Sequence, residues 1–307
     1  KLFPKILTVA TSVLLAAGSL AVAPIGANQS ASAETIISQL GSDIDGATAD
    51  DNSGRSVSLS SDGTRVAIGA PGSSPGKGQV RIYDWTDGAW VQTGSDIDGE
   101  AAGDLFGASV SLSSDGTRVA IGARFNDGSF SNAGHVRVYD LTDGAWVQTG
   151  SDIDGEAAVD YSGYSVSLSS DGTRVAIGAA YNDGSYNNAG HVRVYEWNDG
   201  TTSWDKLGSD IDGEAASDQS GSSVSLSSDG TRVAIGAPAN GSNAGHVRIY
   251  EYSGGTWNQL GSDIDGEAPD DRSGYTVSLS SDGTRVAIGA DGNDNFAGGV
   301  RVYDWTD

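Results

Sequence analysis

Residues 94–123 read GSDIDGEAAGDLFGASVSLSSDGTRVAIGA, and the chain writes close variants of this sentence five times, with GSDIDG starting at Gly41, Gly94, Gly150, Gly208 and Gly261. The spacings are 53, 56, 58 and 53 residues. Self-similarity at such a period marks an architecture in which one supersecondary unit recurs. In the quoted copy Val110 and Leu112 alternate with serines, and Val119 and Ile121 share a face in the next run. That period of two is the strand signature. Between the runs, Asp followed by Gly recurs at Asp62, Asp115, Asp171, Asp229 and Asp282 and reads as a two-residue hairpin corner with φ > 0. Beyond Ala123 come a loop of variable length and a third strand, residues 135–139. That strand sets Val136 and Val138 on one side and His135, Arg137 and Tyr139 on the other. A fourth strand carries Trp146, with equivalents at Trp90, Trp204 and Trp257, rings suited to packing between sheets. Four strands per copy make one small antiparallel sheet that buries little by itself, so the copies pack face to face around an axis. The predicted fold class is all-β, a β-propeller of about five four-stranded blades.

The last copy stops after its third strand, and residues 35–40, TIISQL, stand where a fourth strand belongs. The N-terminal strand is therefore expected to close the last blade of a ring over residues 34–307; the rival is a segment of a larger, seven-bladed ring. Lys1 and Lys5 precede an apolar stretch, residues 6–23, and Ala31, Ser32 and Ala33 form a small-residue cleavage pattern. Residues 1–33 thus read as an export signal peptide and the protein as secreted or cell-surface, with no membrane span after signal removal.

The 307 residues include 45 Gly, no Cys and no Met, and 41 acidic against 17 basic residues give a formal net charge of -24. A chain this acidic repels phosphate backbones and anionic membranes, so nucleic acid is excluded as a partner class. Without Cys there is no disulfide framework and no thiol nucleophile.

Phe106 and Gly107, followed by residues 109–112 and then Ile121, Gly122 and Ala123, resemble the FG-GAP repeat of integrin α-subunit propellers and bacterial surface proteins. Only this copy has Phe before Gly; the others have Ser53, Ser162, Ser220 and Ser273. The Gly-Ala-Pro triplet is intact at residues 69–71 and 236–238, while Arg124, Ala180 and Asp291 replace the Pro elsewhere. The resemblance implies an extracellular binding or adhesion module without catalytic activity. It also implies calcium loops between the first two strands, but here that connection has shrunk to SSDG, too short to wrap six oxygens around Ca²⁺. No cofactor is expected. The weak metal candidates are Asp96, Asp98, Glu100 and Asp104, whose spacing fits no established calcium loop and suits turn capping better.

Catalysis has little support in the sequence. His135, His191 and His246 share one strand position that holds Gln79 and Gly299 in the other copies, and almost every acid belongs to the repeat rather than to one asymmetric cleft. Arg65, Arg118, Arg174, Arg232 and Arg285 read as scaffold partners of the repeated acids. Function is sought where the copies differ, in the loops after the second strands, which share one face. Candidate ligand-binding residues there are Phe125, Asn126, Asp127, Phe130, Tyr181, Asn182, Asp183, Tyr186 and Phe296. Aromatic faces beside amides and carboxylates suit a polysaccharide or an extracellular protein. The expected function is a non-enzymatic binding or adhesion module; the alternatives are a glycan-active propeller enzyme and a structural spacer of a larger surface protein.

Overall fold

The computed structural model describes residues 38–305. The expected signal peptide and the first half of the expected closing strand, residues 35–37, lie outside the described residues. Four antiparallel sheets follow one another, each built on a path of consecutive strands, and a three-stranded sheet comes last. Five blades in a propeller arrangement result. The first strands, Ser56–Leu59, Ser109–Leu112, Ser165–Leu168, Ser223–Leu226 and Ser273–Leu279, lie innermost. Their ends, including Leu59, Leu112, Leu168, Leu226 and Leu279, line one cavity at the axis. No helix of the described residues is long and apolar enough to cross a membrane.

In the middle blades both faces of the third strand are buried, because each of these blades is covered on two sides. In the second blade Val136 and Val138 are 0% and 1% exposed, and His135, Arg137 and Tyr139 on the opposite face are also buried. Val136 and Val138 pack with Val166, Leu168, Val175, Ile177 and Trp204 of the third blade. Each fully buried Val or Ile contributes roughly 1.5–3 kcal/mol of burial free energy. Trp146, Trp204 and Trp257 join these cores from the outer edge, and each Nε1 donates to a carbonyl of the preceding blade: Thr93, Thr149 and Leu207.

Two local features differ from the sequence expectation. The Asp-Gly hairpin closes over four residues instead of two, with Ser113 N–H donating to Arg118 O at 2.9 Å and only Gly116 at positive φ, +69°. Asp115 stays at negative φ and serves as a cap. Its Oδ1 accepts from Thr117 N–H and from the Ser113 and Thr117 hydroxyls, an arrangement that Asp62, Asp171, Asp229 and Asp282 repeat. The second difference is a two-residue strand inside GSDIDG, Ile97–Asp98 in the second copy, that pairs with the start of the preceding blade's third strand and sends Ile97 into the core.

Consecutive blades approach closely at the Gly of Ile-Gly-Ala. A Cβ on Gly122 would lie 2.3 Å from Gly163 O of the next blade, so any side chain there forces the blades apart. Four such interfaces are made. At the two ends the equivalent faces are open: Val57 and Leu59 of the first blade are 63% and 60% exposed, and Val300 and Val302 of the fifth are 71% and 68% exposed. Among the described residues no fourth strand pairs with Gly299–Asp304. Leu40 makes toward the first blade the contact that Thr93, Thr149 and Leu207 make toward the blades after them, its carbonyl accepting from Trp90 Nε1 at 3.0 Å.

Candidate functional site on the loop face

The second strands run from the Asp-Gly turns to the variable loops, so those loops gather on the opposite end of the propeller. Buried amides shape them. Asn126 Nδ2 donates to Asp104 Oδ2 at 2.9 Å and its Oδ1 accepts from Gly128 N–H, and Asn182 repeats this with Asp160 and Gly184. Both amides are buried, so Asn126 and Asn182 are scaffold rather than ligand contacts. Asp127 and Asp183 accept from the N–H groups of Asn132 and Asn188 and tie the loop ends together. Phe130, Tyr186 and Phe296 are exposed, Phe296 with Arg272 Cζ 5.8 Å from its ring centroid.

Phe125 and Tyr181 belong to a cluster spanning the second and third blades. The centroids of Phe125 and Tyr161 are 5.0 Å apart, those of Tyr161 and Tyr181 also 5.0 Å, and Tyr164 lies 6.2 Å from Tyr181. Arg124 Cζ sits 5.0 Å from the ring centroids of both Phe125 and Tyr164, within cation–π range. Its Nε is buried without a hydrogen-bond partner among the described residues. Burial raises the Tyr181 hydroxyl above the usual phenol range.

Tyr161 occupies a position that every copy holds in the left-handed region: Asn52, Leu105, Tyr161, Gln219 and Arg272 have φ of +54°, +55°, +56°, +56° and +56°. Left-handed backbone in residues other than Gly costs of order 1 kcal/mol and persists where the surroundings impose it. A constant strained backbone here carries five different side chains on one face. Sequence reasoning missed this series, together with Arg124, Tyr164 and Tyr275; the signal available was the variable residue directly before each Phe-Gly or Ser-Gly pair.

Between the fourth and fifth blades the same positions leave a cleft of ≈ 270 Å³ lined by Gln219, Pro238, Ala239, Asn243, Arg272 and Tyr275. It exists because Ala239 stands where Phe125 and Tyr181 stand in earlier copies. Arg272 reaches Asp291 at 3.5 Å, leaving a cation, a phenol and two amides around the opening.

The acidic residues of the inter-blade connection have protein partners. Asp104 is buried and accepts from Ala101 N–H, Asp96 from Arg81 and Gln92, and Glu100 pairs with Arg137. Asp98 pairs with Gln79 through the backbone ladder. Among the described residues three groups, Glu100–His135–Asp152, Glu156–His191–Asp210 and Glu214–His246–Asp263, bring potential ligand atoms within 4.8 Å of one another. An arginine already occupies each: Arg137 bonds Asp152 at 2.9 Å, Arg193 reaches Glu156 at 3.2 Å and Arg248 reaches Glu214 at 3.3 Å. Burial and that neighbouring guanidinium keep the imidazoles neutral at pH 7, His191 being pushed down to about 4. These groups therefore act as latches between blades.

Residues 95–139 match the family model of the FG-GAP repeat, and the four sister copies repeat that stretch in variant form. None of the curated proteins compared with the chain matches it. Among solved structures, the chain is similar to hydrazine synthase of Kuenenia stuttgartiensis, with 16% identity over 81% of this chain and 64% of that one and a TM-score of 0.53. It thus spans just under two thirds of that chain. It is also similar to a candidate 6-phosphogluconolactonase of Bacteroides uniformis ATCC 8492, with 14% identity over 82% of this chain and 72% of that one and a TM-score of 0.55. At these identities the likeness is one of fold.

Proposed function

We propose that this propeller of FG-GAP repeats is an exported, non-enzymatic binding module that takes its ligand on the loop face, across the third to fifth blades. The observation that carries the reading is the left-handed series from Asn52 to Arg272, one fixed backbone presenting five unlike side chains beside an aromatic cluster and an open cleft. Uniform scaffold with local variation is how a rigid repeat acquires specificity. Aromatic faces, a cation and amides suit a polysaccharide or a protein segment, and the cleft offers Tyr275 for stacking with Arg272 and Gln219 for hydroxyl or carboxylate groups. Secretion or display at the cell surface follows from the signal-like residues 1–33.

Filling the cleft tests the reading. Ala239→Tyr restores the ring that earlier copies carry, and Arg272→Ala removes the cation. Both variants should lose retention on whichever immobilised polysaccharide or matrix protein the parent chain binds, while keeping its melting temperature. Unchanged retention in both would place the ligand elsewhere.

A further inference from the structure

Arg124 is a half-buried cation without a carboxylate. Among the described residues every other buried or half-buried arginine forms an ion pair with Asp or Glu, from Arg65 with Asp84 through to Arg301 with Glu267. Arg124 forms none, although the chain holds 41 acidic residues against 17 basic ones. Its Nε is buried and makes no hydrogen bond. The fold does not require an arginine at this place. Pro71, Ala180, Pro238 and Asp291 hold it in the other copies, and Ala180 fits there at 0% exposure.

The guanidinium is framed by rings. Phe125 and Tyr164 each have their centroid 5.0 Å from Arg124 Cζ, and Tyr161 and Tyr181 extend the group through ring contacts at 5.0 Å. All four rings are half-buried, so each keeps part of its surface open. A guanidinium stacked on rings keeps its N–H donors, which lie in its own plane, directed outward. With Nε enclosed, the donors left to a ligand are those of Nη1 and Nη2. The group lies between the second and third blades, each of which has a blade packed on both sides.

Rings and cation select different parts of a ligand. An aromatic face takes up the C–H face of a sugar ring, and the paired N–H groups of a guanidinium match the two oxygens of a carboxylate. A pyranose carrying a carboxylate offers both within one residue. An acidic amino-acid side chain has the carboxylate but no flat face, and a neutral sugar leaves the guanidinium unpaired. The chain's charge of -24 also repels dense polyanions, which favours isolated carboxylates. We propose that this group binds a single carboxylate-bearing sugar, a uronate or a sialate, within an otherwise neutral glycan, with Arg124 on the carboxylate and the four rings against the sugar. The assignment rests on the loop face being the binding face and adds the chemical class of ligand taken there.

Two matched pairs of immobilised glycans test it: glucuronoxylan with its carboxyl-reduced form, and a sialylated oligosaccharide with its desialylated form. In buffer of about 0.15 M salt, screening over about 8 Å removes the general repulsion and spares a direct contact. The 307-residue chain should be held about tenfold more tightly by the acidic member of at least one pair, and the pair that discriminates identifies the sugar. Arg124→Ala, which installs the residue that the third copy uses, should bring retention of the acidic member down to that of the neutral one. Tyr161→Leu installs the residue that the second copy holds at nearly the same φ, +55° against +56°, and should weaken both members alike. Both variants should keep the parent's melting temperature. Equal retention of acidic and neutral members in both pairs, retention of neither pair, or a preference that survives Arg124→Ala overturns the proposal. The loop-face reading is judged separately, by Ala239→Tyr and Arg272→Ala on whichever surface holds the parent: loss there keeps that reading while this assignment falls, and indifference there removes both.

Discussion

The ring of Phe106 meets that of Tyr139 edge-on, with centroids 6.4 Å apart and planes at 81°. Where later copies replace the Phe by Ser162 or Ser220, a guanidinium takes the space. Arg193 lies 5.7 Å above Tyr195 and donates to Asp154 O, and Arg248 lies 5.6 Å above Tyr250 and donates to Asp212 O. In the second blade the equivalent Arg137 is held by Asp152 and Glu100 instead. Phe and Arg thus alternate as fillers of one site, which explains how a single Phe-Gly suffices in five copies. Phe106→Ala should cost about 3 kcal/mol in a denaturant melt, the usual loss for a buried ring with partial relaxation. A loss under about 1 kcal/mol would show that Arg137 swings in as its sisters do.

The three buried histidines set an acid limit on stability. Burial lowers the folded-state pKa of His135, His191 and His246, His191 to about 4 from 6.5. The unfolded chain therefore binds protons first, and stability present above pH 6.5 falls as pH drops from 6.5 toward 4. Replacing all three by Gln, the residue the first copy uses as Gln79, should flatten the melting-temperature profile over that window. An unchanged slope would assign the effect to other groups.

A second acid transition belongs to the turn aspartates. Hydrogen bonds, led by Thr64 N–H for Asp62 and by the Ser280 hydroxyl for Asp282, lower both carboxyls from 3.8 to about 2. Their contribution is fully present above pH 3.8 and is lost as pH falls toward 2. Asp62→Asn combined with Asp282→Asn should weaken the pH dependence below 4 while leaving the histidine window intact. Identical profiles would exclude the turns as its source.

The arginine series supplies a matched pair. Arg118 donates to Asp140 through Nε and Nη2 and to Gly172 O through Nη1 at 3.0 Å, and its Cζ lies 5.6 Å from the Trp204 ring centroid. Arg118→Ala should cost about 2 kcal/mol, since it strips several charged hydrogen bonds from a mostly covered site. Arg285→Ala should cost close to nothing, because its pairing is solvent-exposed. Equal losses would contradict the role given to the blade interface.

Calcium provides a further check. Asp96, Glu100 and Asp104 are engaged by Arg81, Arg137 and a backbone N–H, so millimolar Ca²⁺ or its removal by chelator should leave the melting temperature unchanged. A concentration-dependent rise would show that a cation displaces these partners.

The architecture was legible because a period of two within a period of about 55 leaves few alternatives. The two-residue Ile97–Asp98 strand escaped notice because two residues carry no periodicity, and Asp115 was assigned a left-handed turn position because capping and turn roles favour the same residue type. On the loop face the sequence singled out Phe125, Tyr181 and Phe296 correctly as aromatics of the variable loops. It could not separate Asn126 from Asp127, since burial of one amide against Asp104 is a tertiary event 22 residues apart. Tyr161 escapes a sequence reading because it lies outside the variable loops, and Arg124 because at the head of its loop it reads only as the replacement for the Pro of Gly-Ala-Pro.

Retention of the chain on immobilised alginate, chitin, cellulose and matrix protein, with release of soluble sugar recorded in the same wells, tests the central claim most directly. The account predicts retention on at least one surface, abolished by Ala239→Tyr and Arg272→Ala, with no sugar released. Release of soluble sugar, or retention indifferent to both substitutions, would contradict it.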